Sequence, residues 1–155
     1  MLRIDRRELR AGPVETDATL SAEDPLLGGL ALRLDGSLAV TGRLQQAGHG
    51  DYLWRGHLAG KARGECRRCL AEVPVAIATD VDVLFSADPD AVDDPSVYPL
   101  AEAATHVDVG EAVREELALA VSPLVLCRED CAGLCPRCGA DLNAGPCGCT
   151  PAEPN

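Results

Sequence analysis

The sequence predicts an α+β fold: an antiparallel β meander or partly open barrel, one packed helix, and a small C-terminal cysteine-rich knuckle. Three observations support this. Between Leu38 and Phe85 apolar and polar residues alternate, the period of a half-buried strand. Val109, Val113, Leu117 and Val121 then recur at helical spacing along one stripe. From Leu124 the composition turns to Cys, Gly and Pro, which offers little apolar surface to bury. The expected division is a β-rich domain with one main helix over 1–123, a cysteine-rich knuckle over 124–150 and a disordered tail over 151–155.

Residues 1 to about 23 show no clear period. Leu30, Leu32 and Leu34 then point one way, and Asp35 with Gly36 signals a turn. Leu38, Val40 and Leu44 follow, with Gly42 marking a bulge. The cluster from Gly48 to Asp51 reads as a second turn. In the next strand Tyr52, Trp54, Leu58 and Ala62 share one face, and Arg55, His57, Lys61 and Arg63 the other. Val73, Val75 and Ile77 alternate, and so do Val81, Val83 and Phe85, giving a meander with one polar face. Residues 86–107, with Pro89, Pro95 and Pro99 among the acids, read as a flexible surface loop. Asp108, with Glu111 three residues later, starts the helix, and Ser122 with Pro123 ends it.

With 155 residues, 46% of them hydrophobic, the chain can build one domain with a small appendage. One Phe, one Trp and two Tyr leave the core to Leu, Val and Ala. No apolar run approaches the ~20 residues that span a bilayer. The charged N-terminus lacks the apolar stretch of a signal peptide. A cytoplasmic protein with reduced thiols is therefore expected.

The net charge of -11 opposes broad contact with nucleic acid, because each phosphate contact needs a local cation. The charge is uneven, however. Residues 86–108 hold acids and no Lys or Arg, whereas Arg55, Lys61, Arg63, Arg67 and Arg68 cluster in a short stretch. Those cations form a candidate nucleic-acid surface, or simply a solvated strand face.

The cysteines carry the strongest chemistry. Cys135, Pro136, Arg137, Cys138 and Gly139 form a metal knuckle, since two intervening residues let both sulfurs reach one ion at ~2.3 Å. Cys147 and Cys149 can complete four thiolates. Zinc suits a closed sulfur site in a reducing compartment, and an iron–sulfur cluster is the lesser rival. With little beyond Leu134 and Leu142 to bury, this segment needs the ion to fold. Cys66 and Cys69 then remain, with Cys127 and Cys131. They form a second metal site tying the sheet to the appendage, or the CxxC carries no metal. One or two zinc ions are thus expected. His49, His57 and His106 are scattered. No nucleophile elbow, phosphate-binding loop or small-molecule site stands out, and nothing argues for an enzyme.

Gly64-Glu65-Cys66-Arg67-Arg68-Cys69-Leu70, followed by a Val-rich strand, resembles the first signature of the YceD family. The stretch from Asp108 through Pro123, Cys127, Cys131, Cys135, Cys138, Asp141 and Asn143 to Cys149 resembles the second signature of its cysteine-rich branch. The resemblance implies a factor for large ribosomal subunit biogenesis that supports accumulation of 23S ribosomal RNA. It also marks Cys66 and Cys69 as signature residues, beside Arg68 and Leu70, and the six later cysteines as metal ligands. Ribosomal RNA or a large-subunit ribosomal protein would be the partner. Two alternatives stay open: a zinc-dependent interaction module chaperoning a basic ribosomal protein, and a thiol redox sensor using Cys66 and Cys69.

Overall fold

The computed structural model describes residues 2–30, 33–94, 96–120 and 125–149. In chain order the elements are β1 (Arg3–Asp5), α1 (Arg6–Ala11), β2 (Val14–Leu20), β3 (Arg33–Leu34), β4 (Leu38–Gln46), β5 (Tyr52–Glu65), β6 (Glu72–Ser86), β7 (Val97–Pro99), β8 (His106–Asp108) and α2 (Gly110–Ala120). Short 3₁₀ turns cover Pro25–Leu27 and Pro89–Asp93.

Strict alternation decides which face is buried. Leu38, Val40 and Leu44 of β4, Tyr52, Trp54, Leu58 and Ala62 of β5, and Ile77, Val81, Val83 and Phe85 of β6 all point inward. The three strands form the expected antiparallel meander, with Val40 opposite Leu58 and Trp54 opposite Val83. The larger sheet runs β2-β4-β5-β6-β7, with β3 pairing β5 beyond the end of β4. The path keeps two free ends, so the sheet is not closed. A separate ribbon pairs β1 with β8. The buried stripe Val109, Val113 and Leu117 joins the same core as the inward face of the sheet.

Trp54 organises the inner face. Its indole N–H donates to Thr16 Oγ1 on β2 at 2.9 Å. To get there the ring crosses Gly42 and Gly56: a Cβ on Gly56 would sit 2.3 Å from the ring, and one on Gly42 2.7 Å from Nε1. Gly42 is therefore no bulge. It pairs in continuous register with Thr16 and Gly56, and its missing side chain makes room for the indole.

The unassigned N-terminal region gains structure, and other expectations change. The N-terminal region holds β1, α1 and β2, whose inward positions Val14, Thr16, Ala18 and Leu20 are only weakly apolar. Residues 86–107 are not a featureless loop: Val97–Pro99 adds to β6 in parallel, and the Tyr98 ring packs 5.4 Å from Phe85. Of the described leucines before Gly36, Leu34 lies in strand and Leu30 does not. Asp108 ends β8, and its carboxylate accepts from Gly110 N–H at the start of α2. Leu32, Pro95, Val121, the helix end at Ser122 and Pro123, the boundary at Leu124 and the tail 151–155 lie outside the described residues.

Candidate metal centres

Two CxxC turns share one backbone design. In the first, Cys66 N–H donates to Ala71 O and Leu70 N–H to Cys66 O, both at 2.8 Å. In the second, Cys135 N–H donates to Ala140 O and Gly139 N–H to Cys135 O, again at 2.8 Å. Each turn needs a left-handed residue directly after its second cysteine. Gly139 supplies it at φ 73°, and Leu70 supplies it at φ 61°. A leucine there costs about 1–2 kcal/mol, and its side chain remains 61% exposed. The first turn closes the β5–β6 hairpin, whose register runs to Glu65 opposite Glu72. The inward alternation of β5 carries on into Cys66, which is fully buried.

The fold gathers the eight cysteines into two groups. The thiol sulfurs of Cys66, Cys69, Cys127 and Cys131 all lie within 4.8 Å of one another, and so do those of Cys135, Cys138, Cys147 and Cys149. Cys66 Sγ is 3.8 Å from Cys131 Sγ, and Cys69 Sγ is 3.6 Å from Cys127 Sγ. Four sulfurs at ~2.3 Å from a tetrahedral zinc would stand ~3.8 Å apart. The donor set and its spacing therefore fit a divalent thiophilic ion, and either tetrad can hold one.

Electrostatics favours the same occupant. Burial raises the Cys66 thiol, but the N–H groups of Cys127, Cys69 and Arg68 outweigh it and bring it down to about 6. The N–H groups of Cys138 and Arg137 bring Cys135 down to about 6 as well. One other member of each group pays for this: Cys127 is pushed up to about 12, first by Cys131 and then by burial, and Cys149 up to about 11, first by Cys138 and then by burial. Four clustered sulfurs cannot all ionise without a cation among them.

The first tetrad joins distant segments, and Arg67 and Arg68 supply the seam. Arg67 N–H donates to Val125 O at 3.0 Å, and Arg68 O accepts from Leu134 N–H at 3.1 Å. The Arg68 guanidinium donates to Cys131 O at 2.9 Å and Glu129 O at 3.2 Å. Gly133, at φ 76°, lets the chain pass close to Arg68 O. Asn143 adds a bond that spacing alone gives no reason to expect: its Nδ2 donates to Cys131 Sγ at 3.4 Å. The local signal for its placement is an Asx turn, in which Asp141 Oδ1 accepts from Asn143 N–H at 2.9 Å.

The candidate nucleic-acid residues are largely engaged within the fold. Arg55 pairs with Asp82 at 2.9 Å, and Arg63 with Glu72 at 2.6 Å and Asp35 at 3.2 Å. His57 meets Asp80 at 2.7 Å. Arg68 serves the seam just described. Among the described residues, the side chains of Lys61 and Arg67 make neither an ion pair nor a hydrogen bond.

The model for large ribosomal RNA subunit accumulation protein YceD matches residues 54–155, which take in both tetrads. An uncharacterized protein of Mycobacterium bovis and two of Mycobacterium tuberculosis are each 33% identical over 102 residues, covering 59% of this chain and 45% of the relative. The match thus spans under half the length of these curated relatives. No solved structure matches the chain. Among the described residues no helix is long and apolar enough to cross a membrane. On the extent of the family match, the chain belongs to the YceD family of large ribosomal RNA subunit accumulation proteins.

Proposed function

We propose that this chain is a non-enzymatic factor for large ribosomal subunit biogenesis that supports 23S rRNA accumulation and carries one zinc ion in each cysteine tetrad. The observation that carries the reading is the family match across 54–155, a region containing every cysteine of the two gathered tetrads. Zinc would supply charge neutralisation and cross-linking, with Cys66, Cys69, Cys127 and Cys131 holding one ion and Cys135, Cys138, Cys147 and Cys149 the other. A redox role for Cys66 and Cys69 finds less support, because each sits among three other sulfurs.

The partner is ribosomal RNA or a basic protein of the large subunit. For RNA, Lys61 and Arg67 are the cations best placed, with Arg55, Arg63 and Arg68 available only if they leave their present partners. The basic-protein reading has its own support. Asp88, Asp90, Asp93 and Asp94 are exposed on one short turn and, among the described residues, form no ion pair.

Deleting the gene in its own host tests the function. The ratio of 23S to 16S rRNA should fall and recover with a wild-type copy; an unchanged ratio would contradict the proposal. Binding to 23S fragments at several salt concentrations separates the partners. Charge reversal at Lys61 and Arg67 should weaken RNA binding and flatten its salt slope. Neutralising the four aspartates should instead weaken a protein complex.

A further inference from the structure

The two tetrads share one short piece of chain: Cys131 belongs to the first and Cys135 to the second. Between them, Leu134 bonds back to Arg68 in the first turn and forms an isolated antiparallel bridge with Asp141. Gly133 O accepts from Leu142 N–H at 2.9 Å. The loop that carries the second tetrad from Cys138 to Cys147 is therefore laid against the segment that carries Cys131.

Asn143 lies inside that loop, yet its side chain is spent on the other tetrad. Its Oδ1 accepts from Ala132 N–H at 2.8 Å and from Arg128 Nη2 at 2.9 Å. Its Nδ2 donates to Cys131 Sγ at 3.4 Å and to Asp141 Oδ1 at 2.7 Å. A hydrogen bond to an ionised sulfur is charge-assisted and stronger than a neutral one. Ordering the loop thus places a donor on a ligand of the neighbouring site.

We infer that Asn143 is a positioning residue that couples the two sites, so that metal in the Cys135 tetrad raises the affinity of the Cys66 tetrad for metal, and the reverse. The inference rests on the metal reading proposed above and adds a regulation to it. Filling the second tetrad fixes Cys138 and Cys147, and with them the intervening loop and Asn143. Filling the first fixes Cys131, to which that loop is bonded. Coupling between binding sites is reciprocal by thermodynamic necessity. Both directions must therefore show the same factor, about 5- to 100-fold at the usual size of such couplings.

The test titrates the reduced, metal-free full-length chain with Co(II) and follows the sulfur-to-cobalt absorption. Replacing Cys147 and Cys149 with Ser should weaken Co(II) binding at the Cys66 tetrad by that factor. Replacing Cys66 and Cys69 with Ser should weaken the Cys135 tetrad equally. Asn143→Asp keeps the acceptor oxygens but removes the donor facing sulfur, and Asn143→Ala removes both. Each should cost most of the coupling with both tetrads intact, yet change little once Cys147 and Cys149 are gone. A merely structural asparagine would give effects that add. The absorption band of the Cys66 tetrad should also shift when the donor to Cys131 is lost. Fluorescence of Trp54, the single tryptophan and fully buried in the sheet core, reports that each variant keeps its core. Two Co(II) ions binding with affinities indifferent to the neighbouring site would overturn the coupling and leave the metal reading intact. No Co(II) binding at all would overturn both.

Discussion

The sulfurs of Cys66 and Cys131 stand 3.8 Å apart, although 65 positions separate the two residues in the chain. One lies at the tip of the β5–β6 hairpin, the other in a segment with few apolar side chains. An ion held between them would close a long loop onto the sheet, where loop-closure entropy otherwise resists it. The sheet shares with the helices a core that includes Trp54, Leu58 and Val81. Among the described residues, none from 125 to 149 joins that core.

Removing metal should therefore act on one part of the chain. With a strong chelator, amides of Leu134, Cys135 and Leu142 should exchange with solvent at rates near those of an unfolded chain. Amides of Val40, Leu58 and Val81 should stay protected. Hydrogen exchange read by mass spectrometry checks this; equal loss of protection in the sheet would contradict it.

Arg67 and Arg68 are neighbours with opposite duties. Arg68→Ala removes two bonds to Glu129 and Cys131 carbonyls, a loss of about 1–3 kcal/mol. It should speed metal release to a competing chelator several-fold. Arg67→Ala removes no side-chain bond and should leave the release rate unchanged. Equal rates for the two variants would contradict the seam assigned to Arg68.

Leu70 invites the opposite kind of change. Leu70→Gly relieves a left-handed leucine at φ 61° whose side chain is mostly exposed. Thermal or denaturant unfolding of the metal-loaded protein should show stability held, or raised by up to about 1 kcal/mol. A clear loss would mean that the side chain packs more than its exposure indicates.

The indole shelf gives a sharp packing prediction. Gly56→Ala places a methyl 2.3 Å from the Trp54 ring, an overpacking that costs about 1–3 kcal/mol. Thr16→Val leaves the buried Trp54 N–H without its acceptor, which costs about 1–3 kcal/mol. Urea unfolding followed by Trp54 fluorescence measures both; a neutral Gly56→Ala would contradict the packing.

How much of this the sequence reveals depends on whether the signal is local. The two faces of β5 are readable because large apolar side chains alternate with charges. The inward side of β2 is not, since Thr16 looks polar until Trp54 is seen to reach it from two strands away. Gly42 suggests a bulge for the same reason: its lack of a side chain serves a ring on another strand. The cysteine spacings reveal two knuckles, and a count of four sulfurs per ion suggests that Cys66 and Cys69 meet Cys127 and Cys131. The ion pairs that occupy Arg55 and Arg63 depend on the β5–β6 register, which sets Arg55 opposite Asp82, and no single stretch of chain records it. Asn143 is harder still, because a side chain from one knuckle's loop serves the other knuckle's sulfur.

Native mass spectrometry of the full-length chain, purified without added metal, addresses the central claim most directly. The mass should exceed that of the bare chain by two zinc ions, and replacing Cys66 and Cys69 with Ser should leave one. A metal-free wild-type chain whose residues 125–149 nonetheless resist hydrogen exchange would contradict the account.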